Sequence, residues 1–592
     1  MTFLDCFLHP AAAFFLLALI LPFFRGHSWR WLLFVPPFYA IFLAFRMKLG
    51  SYWALPYVGQ SLVLGRVDPL SLSFVVLFSI MTLICTLFAF HVREKAHHAA
   101  SLFYMGAALG CILAGDYWTL YIFWQFMTVS SAFLIWLSRR PRSALAGFRY
   151  MLMLLLSSVL LLAGILLRHR VTGTFIFNPA DAHMMWHFDW LILAAFCINA
   201  AAVPVHAWLP DAYPEATVPG AVFLSVFTTK TAIYAVARCF VGLEALIILG
   251  LVMALYGAFY ALTVDHIRRI LAYLMISQAG FMLAGIGMDT KMGLQGALTL
   301  VYAHTFYNTL LFMSTGSLMY MVKEEHLSRL GGLASRAPRI LIFTLVGALS
   351  MSAMPLLNGF VAIPLILQAA CQESVVAAVA FGLAMAGTFM AVGLRLPYFA
   401  FWSKTPQKKE KVDPLPLTMT AAMVLAALCC ILQGLFPQLF YGRLPFPVVE
   451  EPFALWKITG AFLFLGLVFV LFIPARRGLT PGTRSLPDFD LLYRVLGRGV
   501  IGLLARPLAW MDGIWTNIYR TVFLRAAAGT ARGAEWFDTS GIDKAVDGTA
   551  RSVLRLGNFS ARMQTGRLQE MLALMVVLAL GLFALIWFWP WN

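Results

Sequence analysis

The chain has 592 residues, of which 61% are hydrophobic, and it carries a formal net charge of +17 at pH 7. This hydrophobic fraction excludes an ordinary soluble globular protein, in which about half of the residues are apolar. Most Lys and Arg residues lie in short segments between apolar runs, so membrane topology explains the positive charge better than nucleic-acid binding does. We expect contact with the lipid bilayer and none with nucleic acid.

The eight cysteines lie mostly inside apolar runs, and none forms a CxxC pair or a metal-binding spacing with histidine. We therefore predict no disulfide, no iron–sulfur cluster, no haem and no metal site. The sequence also lacks a P-loop and a GxGxxG turn after a strand. We expect no cofactor, and no catalytic or redox centre in this chain itself.

Apolar runs of about 20 residues, the length that crosses a bilayer, recur along the chain. They predict an all-α polytopic membrane protein with about 16 transmembrane helices. The predicted spans are 10–24, 30–46, 71–91, 99–115, 117–138, 147–167, 186–208, 217–238, 244–263, 268–287, 293–320, 338–370, 374–398, 415–435, 456–474 and 570–589.

Two of these segments contain prolines that interrupt helical hydrogen bonding. Pro204 breaks the segment 186–208, and Pro355 and Pro364 break the segment 338–370, which is too long for one crossing. Lipid-exposed backbone does not tolerate such breaks, so we expect each to line a protein-enclosed polar pathway. Each broken segment is the fourth in a run of five spans, a pattern typical of two inverted five-helix repeats.

The spans divide the chain into six predicted parts. These are N-terminal helices 1–98, a first repeat 99–240, a second repeat 241–400, additional helices 401–477, an amphipathic region 478–568 and a terminal anchor helix 569–592. In the amphipathic region, arginines alternate with Leu, Trp and Phe, and no run is long enough to span. A helix lying along the cytoplasmic surface fits this pattern, and a solvated basic connector is the alternative.

Basic residues mark one side of the membrane. Clusters such as Arg139–Arg140–Arg142 and Arg268–Arg269 follow odd-numbered spans. The positive-inside rule therefore places these loops and the amphipathic region in the cytoplasm, with both termini outside. We expect a multi-pass protein of a prokaryotic-type inner membrane.

Four sequence blocks carry a family resemblance. They are HAWLPDAYPEA (206–216), FTTKTAIYAVAR (227–238), DHIRRILAYLMISQAGFMLAGIG (265–287) and HTFYNTLLFMSTGSL (304–318). Together they resemble the proton-conducting antiporter-like subunits of Mrp-type cation/proton antiporters, respiratory complex I and membrane-bound hydrogenases, and the D-type Mrp subunits in particular. The tail 541–572 resembles the C-terminus of the distal complex I subunit, which carries a long lateral helix.

The resemblance implies that protons move along buried Lys, His and Glu side chains at mid-membrane depth. At the matching positions, Lys230, His304 and Arg395 keep basic residues of the family and are candidates for a proton path. Burial disfavours an ammonium ion, so a buried lysine is able to release its proton near neutral pH.

Four other matching positions have lost their charge. Gln125 stands where the family has a glutamate, Asn199 and Asn308 stand where it has lysines, and Ile363 stands where it has a terminal Lys or Glu. Amides bind water but do not titrate in this pH range, and Ile363 does neither. The paired loss at Gln125 and Asn199 avoids an unpaired buried ion, which indicates a relaxed pathway.

The roles of the retained residues stay open at this point. Lys230 is either a proton carrier or a lysine satisfied by Ser, Thr and water, and His304 is either a relay or a packing residue. At the first break we expect His206 and Asp211, beside Pro204, to cap and orient the chain.

We therefore predict an antiporter-like subunit involved in proton or cation translocation, coupled to redox or ion-gradient energy. Its partners would be other membrane subunits, including another antiporter-like subunit, in a multisubunit oxidoreductase or antiporter complex. The alternative is a charge-depleted, non-conducting subunit that braces a conducting partner. A stand-alone secondary transporter is disfavoured, because members of the family it resembles usually work in assemblies.

Overall fold

The computed structural model describes residues 8–26, 28–57, 60–182, 184–403, 413–442, 444–445, 451–482, 488–563 and 568–588. The chain divides into two compact units, Met1–Asp490 and Leu491–Asn592.

The described part of the first unit is almost entirely helical. Its helices are α1 (Pro10–Ile20), α2 (Val35–Arg46), α3 (Pro69–Ala89), α4 (Lys95–Leu113), α5 (Tyr117–Trp136), α6 (Pro141–Thr172), α7 (His187–Asn199), α8 (Trp208–Glu215), α9 (Val218–Val226), α10 (Thr228–Cys239), α11 (Glu244–Thr263), α12 (Ile267–Gly287), α13 (Lys291–Val322), α14 (Pro338–Met351), α15 (Ile363–Glu373), α16 (Val375–Thr388), α17 (Leu417–Leu435), α18 (Gln438–Tyr441) and α19 (Leu455–Ala475). Two π-helical stretches, Phe389–Arg395 and Tyr398–Trp402, follow α16.

Eleven helices in the described part of the chain are long and apolar enough to cross a membrane. Four more apolar helices are shorter, namely Pro10–Phe23, His187–Asn199, Pro338–Met351 and Leu572–Leu585. The predicted polytopic, mainly helical membrane protein is confirmed. The number of spans, about 16 on the basis of apolar run length, stays a prediction.

The first predicted break is present. α7 ends at Asn199, residues 200–207 form turns, and α8 begins at Trp208. The indole of Trp208 closes this gap, because its Nε1 donates a hydrogen bond of 2.9 Å to the carbonyl of Ile198. Pro204 lies within the turns, where its missing N–H removes no helical hydrogen bond.

The second predicted break is also present. α14 ends at Met351 and α15 begins at Ile363, with Pro355 in the connection. A single 3-10 turn, Asn358–Val361, forms part of this connection. Pro364 lies in the first turn of α15, where a proline is tolerated because the N–H has no intrahelical acceptor.

The sequence does not predict a third irregularity. The predicted span 217–238 consists of two helices, α9 and α10, which meet at Phe227. Together they form one apolar segment, Val218–Cys239, which is long enough to cross a membrane and is fully buried in the protein. Lys230 lies in the first turn of α10, directly after this junction.

One segment departs from the all-α pattern. Strands β1 (Gly50–Tyr57) and β2 (Gln60–Val67) form an antiparallel hairpin. The hairpin contacts the start of α5, since the carboxylate of Asp116 accepts a 2.8 Å hydrogen bond from the N–H of Val63. A search for long apolar runs overlooks strands of eight residues, which show a period of two instead.

Glycines bring α11 and α12 into close contact. A Cβ atom at Gly250 would lie 2.3 Å from the carbonyl oxygen of Gly280, and one at Gly257 would lie 2.4 Å from that of Tyr273. Small residues at such positions let transmembrane helices approach closely. The rings of Tyr260 and Tyr273 consequently stack across the interface, with centroids 5.4 Å apart.

The second unit is helical throughout its described residues. α20 (Asp490–Ile518) begins at the end of the first unit and is followed by α21 (Leu524–Phe537) and α22 (Asp543–Met563). Single π-helical turns, Tyr519–Phe523 and Asp538–Ile542, connect these helices. The last helix, α23 (Leu568–Phe588), is strongly apolar.

Candidate functional site

Lys230 is a buried ammonium group in the first turn of α10. It is 1% exposed, and its Nζ donates a hydrogen bond of 2.6 Å to the carbonyl of Ser225 in α9. Among the described residues no carboxylate acts on it. An ammonium ion that is buried without a counter-ion is strongly disfavoured. Internal water around Nζ, or release of its proton, relieves that penalty.

Two neighbouring helices bring further polar side chains to α10. It packs against α7, which ends at Asn199, and against α13, which carries His304 and Asn308. We call Asn199, Lys230, His304 and Asn308 the polar row.

The polar row contains many buried atoms without a hydrogen-bond partner among the described residues. Both amide atoms of Asn199 and Asn308 and both ring nitrogens of His304 have none. The same holds for the hydroxyl groups of Thr229, Thr231 and Thr299. Buried polar atoms in native proteins bond to protein or to ordered water. These unpaired atoms therefore indicate water molecules along the row.

Gln125 lies on α5 and is half-buried, with an Nε2 that is buried and unpaired among the described residues. The neighbouring indole of Trp124 is fully buried, and its Nε1 is unpaired as well. Trp124 reaches the ring of Phe196 on α7, with centroids 5.4 Å apart. The unpaired atoms of α5 thus lie beside the helix that ends at Asn199.

The second break is built differently. Asn358 donates from Nδ2 to the carbonyl of Ala303 at 3.1 Å and to Oε1 of Gln433 at 3.2 Å. Ile363 is fully buried at the start of α15. It lines a mainly apolar cavity of about 450 Å³ together with Pro364, Leu367 and Phe464, and Lys457 also borders this cavity. Ile363 itself therefore presents an apolar side chain where the resemblance implies a terminal charge.

Arg395 makes its hydrogen bonds to residues outside the second break. Its guanidinium donates to the carbonyls of Ala261 (3.4 Å), Val264 (3.0 Å) and Leu479 (3.0 Å). The first two acceptors lie at the end of α11, where helical carbonyls lack intrahelical donors. These contacts describe an arginine that stabilises a helix end, and its role in a proton path stays a prediction.

Arginines of α6 and α12 contact α8, the helix that follows the first break. Asp211 lies 3.2 Å from Arg149 Nη1 and 3.7 Å from Arg269 Nη2. Arg268 donates to the carbonyl of Ala216 at 2.8 Å, just after α8. Asp211 thus ties α8 to α6 and α12, and its orienting role at the break stays a prediction.

His206 is completely buried in the turns of the first break. Its ring meets that of Tyr256 edge-on, with centroids 4.7 Å apart. Its Nε2 lies 3.3 Å from Oδ1 of Asp488, a residue that follows α19 by 13 positions. Sequence reasoning missed Asp488, and also the pair Asn358 and Gln433, because each acts through a partner far away in the chain.

Outside the membrane spans, Glu325 joins separate parts of the first unit. Its carboxylate lies 2.5 Å from Arg140 Nη1 and 3.1 Å from His266 Nε2. Burial alone would raise the pKa of Glu325, but the hydrogen bond and charge of His266, followed by Arg140, lower that pKa to about 2. Glu325 is therefore a structural carboxylate that stays ionised near neutral pH.

Together, the fold and the site define a polytopic helical membrane protein with a buried polar row beside its first broken helix. Residues 114–390 match the family described as NADH:quinone oxidoreductase/Mrp antiporter, transmembrane. The resemblance inferred from the sequence is confirmed: the chain is similar to this antiporter family across residues 114–390.

Individual relatives agree with this result. The chain is similar to the D-type component of the Na(+)/H(+) antiporter of Alkalihalophilus pseudofirmus, with 28% identity over 396 residues, 62% of this chain and 78% of the relative. It is similar to the hydrogenase-4 component B of Escherichia coli K12, with 28% identity over 542 residues, 83% of this chain and 77% of the relative. In fold it resembles a chain of the Mrp complex from Dietzia sp. DQ12-45-1b, with a TM-score of 0.68, 22% identity, and coverage of 78% of this chain and 98% of that one.

Proposed function

We propose that the chain is an antiporter-like membrane subunit that translocates protons, or a cation exchanged for them, within an Mrp-, complex I- or hydrogenase-related assembly. One observation carries the proposal: Lys230 is buried without a carboxylate partner, in a row whose other polar atoms are unpaired among the described residues. A fixed, non-conducting core does not retain such groups, because each adds an unfavourable desolvation term.

The chemistry follows from the residue types in the row. Lys230 is the member that gains and loses a proton most readily, because burial disfavours its charged form. Asn199 and Asn308 do not titrate, but each amide both donates and accepts hydrogen bonds and so orders a chain of water. His304 takes a proton on one ring nitrogen and releases one from the other. Protons then move through water between the two titratable side chains.

The assembly is part of the same proposal. The partners are other membrane subunits, one of them antiporter-like with its charged residues intact, in a prokaryotic-type inner membrane. The architecture is that of two inverted five-helix repeats within about 16 spans, with both termini outside. The long helical segment of α20, α21 and α22 lies along the cytoplasmic surface, and the apolar α23 anchors it. Exposed Trp510, Trp515 and Trp536 on this segment support contact with a membrane or a partner.

Proton flux through proteoliposomes that contain the assembled complex tests the function. Lys230→Ala should lower the flux by about tenfold or more, since it removes the exchangeable ammonium. Lys457→Ala is the matched control, because Lys457 is 9% exposed in α19 and its Nζ donates to a loop carbonyl, that of Glu451. Unchanged flux in Lys230→Ala, with the complex intact, would remove the row from the mechanism.

The alternative function is a non-conducting brace, suggested by the charges lost at Gln125, Asn199, Asn308 and Ile363. The relatives found do not favour it, since the matched family is that of the antiporters themselves. The same experiment separates the two, because a brace predicts that Lys230→Ala and Lys457→Ala give the same flux as the unmodified complex.

A further inference from the structure

The connection between α19 and α20 contributes a carboxylate that the proposed function does not yet use. Asp488 lies two residues before the start of α20. Its side chain accepts hydrogen bonds from the hydroxyl groups of Tyr256 and Tyr273 and lies 3.3 Å from Nε2 of His206. Three polar groups from the first break, α11 and α12 therefore converge on one carboxylate.

The carboxylate of Asp488 contacts residues that lie inside α11 and α12 and not at the ends of these helices. Tyr273 is six residues into α12, about 9 Å along its axis at 1.5 Å per residue. Tyr256 precedes the end of α11 by seven residues. The Asp488 side chain is nevertheless 12% exposed, whereas that of His206 is 0% exposed. Asp488 thus lies between solvent and a histidine that solvent does not touch.

The electrostatics keep Asp488 ionised. Burial alone would raise the pKa of Asp488, but the imidazole of His206 beside it and the hydroxyl groups of Tyr256 and Tyr273 that donate to it lower that pKa to about 2. A carboxylate of this acidity does not store a proton near neutral pH, so a proton that arrives is passed on. Arg269 and Asp211 are further charged groups that act on the cluster, through Tyr273.

Both ring nitrogens of His206 are available for proton transfer. Its Nε2 lies 3.3 Å from Oδ1 of Asp488, and Nε2 and Nδ1 are both buried without a hydrogen-bond partner among the described residues. A histidine in this arrangement accepts a proton on one nitrogen and releases one from the other. The same turns begin directly after Asn199, the first member of the polar row.

We propose that Asp488 and His206 form a proton entry site for the polar row. A neutral His206 that carries its proton on Nδ1 receives a proton at Nε2 from a hydronium ion by way of the Asp488 carboxylate, which is regenerated. Loss of the Nδ1 proton toward the row leaves the neutral imidazole protonated on Nε2, and return of that proton to Nδ1 through water completes the cycle. The hydroxyl groups of Tyr256 and Tyr273 fix the carboxylate in place. This inference rests on the proposed function, because it supplies protons to the same row.

The test measures proton flux in proteoliposomes that contain the assembled complex. Asp488→Asn should lower the flux by about tenfold, since the amide keeps the shape but carries no proton. Asp488→Glu should restore most of it. Asp413→Asn is the matched control, because Asp413 is a 51% exposed carboxylate that pairs with Lys323 at 3.1 Å.

Chemical rescue separates proton transfer from a purely structural role. With Asp488→Asn, the flux should rise with the concentration of a membrane-impermeant buffer acid such as MES at constant pH, because the buffer replaces the carboxylate as donor. His206→Gln should lower the flux as much as Asp488→Asn, and the double variant should lose no more than either alone. Flux that does not respond to buffer, or losses that multiply in the double variant, would overturn the entry site.

Failure of this inference is distinguishable from failure of the proposed function. If Lys230→Ala lowers the flux while Asp488→Asn does not, the polar row conducts and protons enter elsewhere. If neither variant changes the flux, the proposed function fails and the entry site with it. Where Asp488→Asn reduces assembly of the complex, His206→Gln and Tyr273→Phe carry the test instead.

Discussion

The two broken helices of this protein have the same outline and different interiors. At the first break, α7 and α8 flank turns beside a buried ammonium group, amides and a histidine whose polar atoms are unpaired among the described residues. At the second, α14 and α15 flank turns in which Nδ2 of Asn358 bonds to protein groups while its Oδ1 is unpaired among the described residues, and Ile363 borders a mainly apolar cavity. The first break therefore leaves more buried polar atoms for water than the second does.

The two breaks also differ at the positions where the resemblance predicts a charge. Asn199 and Asn308 preserve hydrogen-bonding capacity and suit a water chain, whereas Ile363 preserves none. An apolar residue at a family proton site closes that site to water. We infer that conduction in this chain depends on the first break, and that the second has become structural.

We expect the largest effect on proton flux from replacing the amide side chains at the first break. Asn199→Leu keeps the branched shape of the side chain, although Leu is larger, but cannot order water, so the proton flux of the assembled complex should fall by about tenfold. Asn308→Leu should act in the same direction. Ile363→Val is the control, with flux equal to that of the unmodified complex. Equal flux in all three variants would show that the two breaks do not differ in their contribution to conduction.

Substitutions at the second break should lower the stability of the protein and leave the proton flux unchanged. Asn358→Leu removes the hydrogen bonds to Ala303 and Gln433 and leaves the buried Oε1 of Gln433 without this donor. The free energy of unfolding should fall by about 1–3 kcal/mol. Thermal denaturation of the complex measures this change. The double variant Asn358→Leu/Gln433→Leu should recover part of the loss, because both buried partners become apolar; further loss would contradict the assignment.

Glu325 provides a pH-dependent test of the contacts outside the membrane. Its pKa of about 2 in the folded state lies below the ordinary value of 4.5. Its contribution to stability is therefore present above pH 4.5 and is lost as the pH falls toward 2. Glu325→Gln should lower the thermal midpoint at pH 7, and the difference should shrink toward pH 3. Glu94→Gln, at the exposed pair with Arg139, should change little at either pH.

The smallest effect should come from Ile363 itself. Ile363→Val removes one buried methylene next to a cavity that is already present. The cost in unfolding free energy should be about 0.5–1.5 kcal/mol, with no change in flux. A drop in flux larger than the drop in complex stability would show that the second break still takes part in conduction.

Several features of the fold and site could be predicted from residues alone. Pro204, Pro355 and Pro364 locate both breaks, because proline removes a helical donor wherever it lies. Lys230 was identifiable because a lysine inside an apolar span is rarely incidental. The motif around it also indicates the antiporter family without reference to the fold.

Other features depend on contacts that sequence patterns do not record. Asp488 meets Tyr256 across 232 positions of the chain, and its local sequence resembles an ordinary polar connector. Asn358 and Gln433 pair across 75 positions in the same way. The hairpin of β1 and β2 lies between apolar spans, where its short strands read as a loop. Such pairings arise from tertiary packing, which neither periodicity nor local motifs encode.

Water should fill the polar row at the first break and leave the apolar cavity at the second break dry. Radiolytic footprinting, in which bound water forms hydroxyl radicals that label adjacent side chains, tests it directly by mass spectrometry. We predict rapid labelling of His304 and Trp124, which are buried beside unpaired polar atoms. Met385 and Phe360, buried at the apolar cavity, should stay unlabelled although methionine is highly reactive. Labelling of Met385 with His304 and Trp124 unmodified would contradict the account.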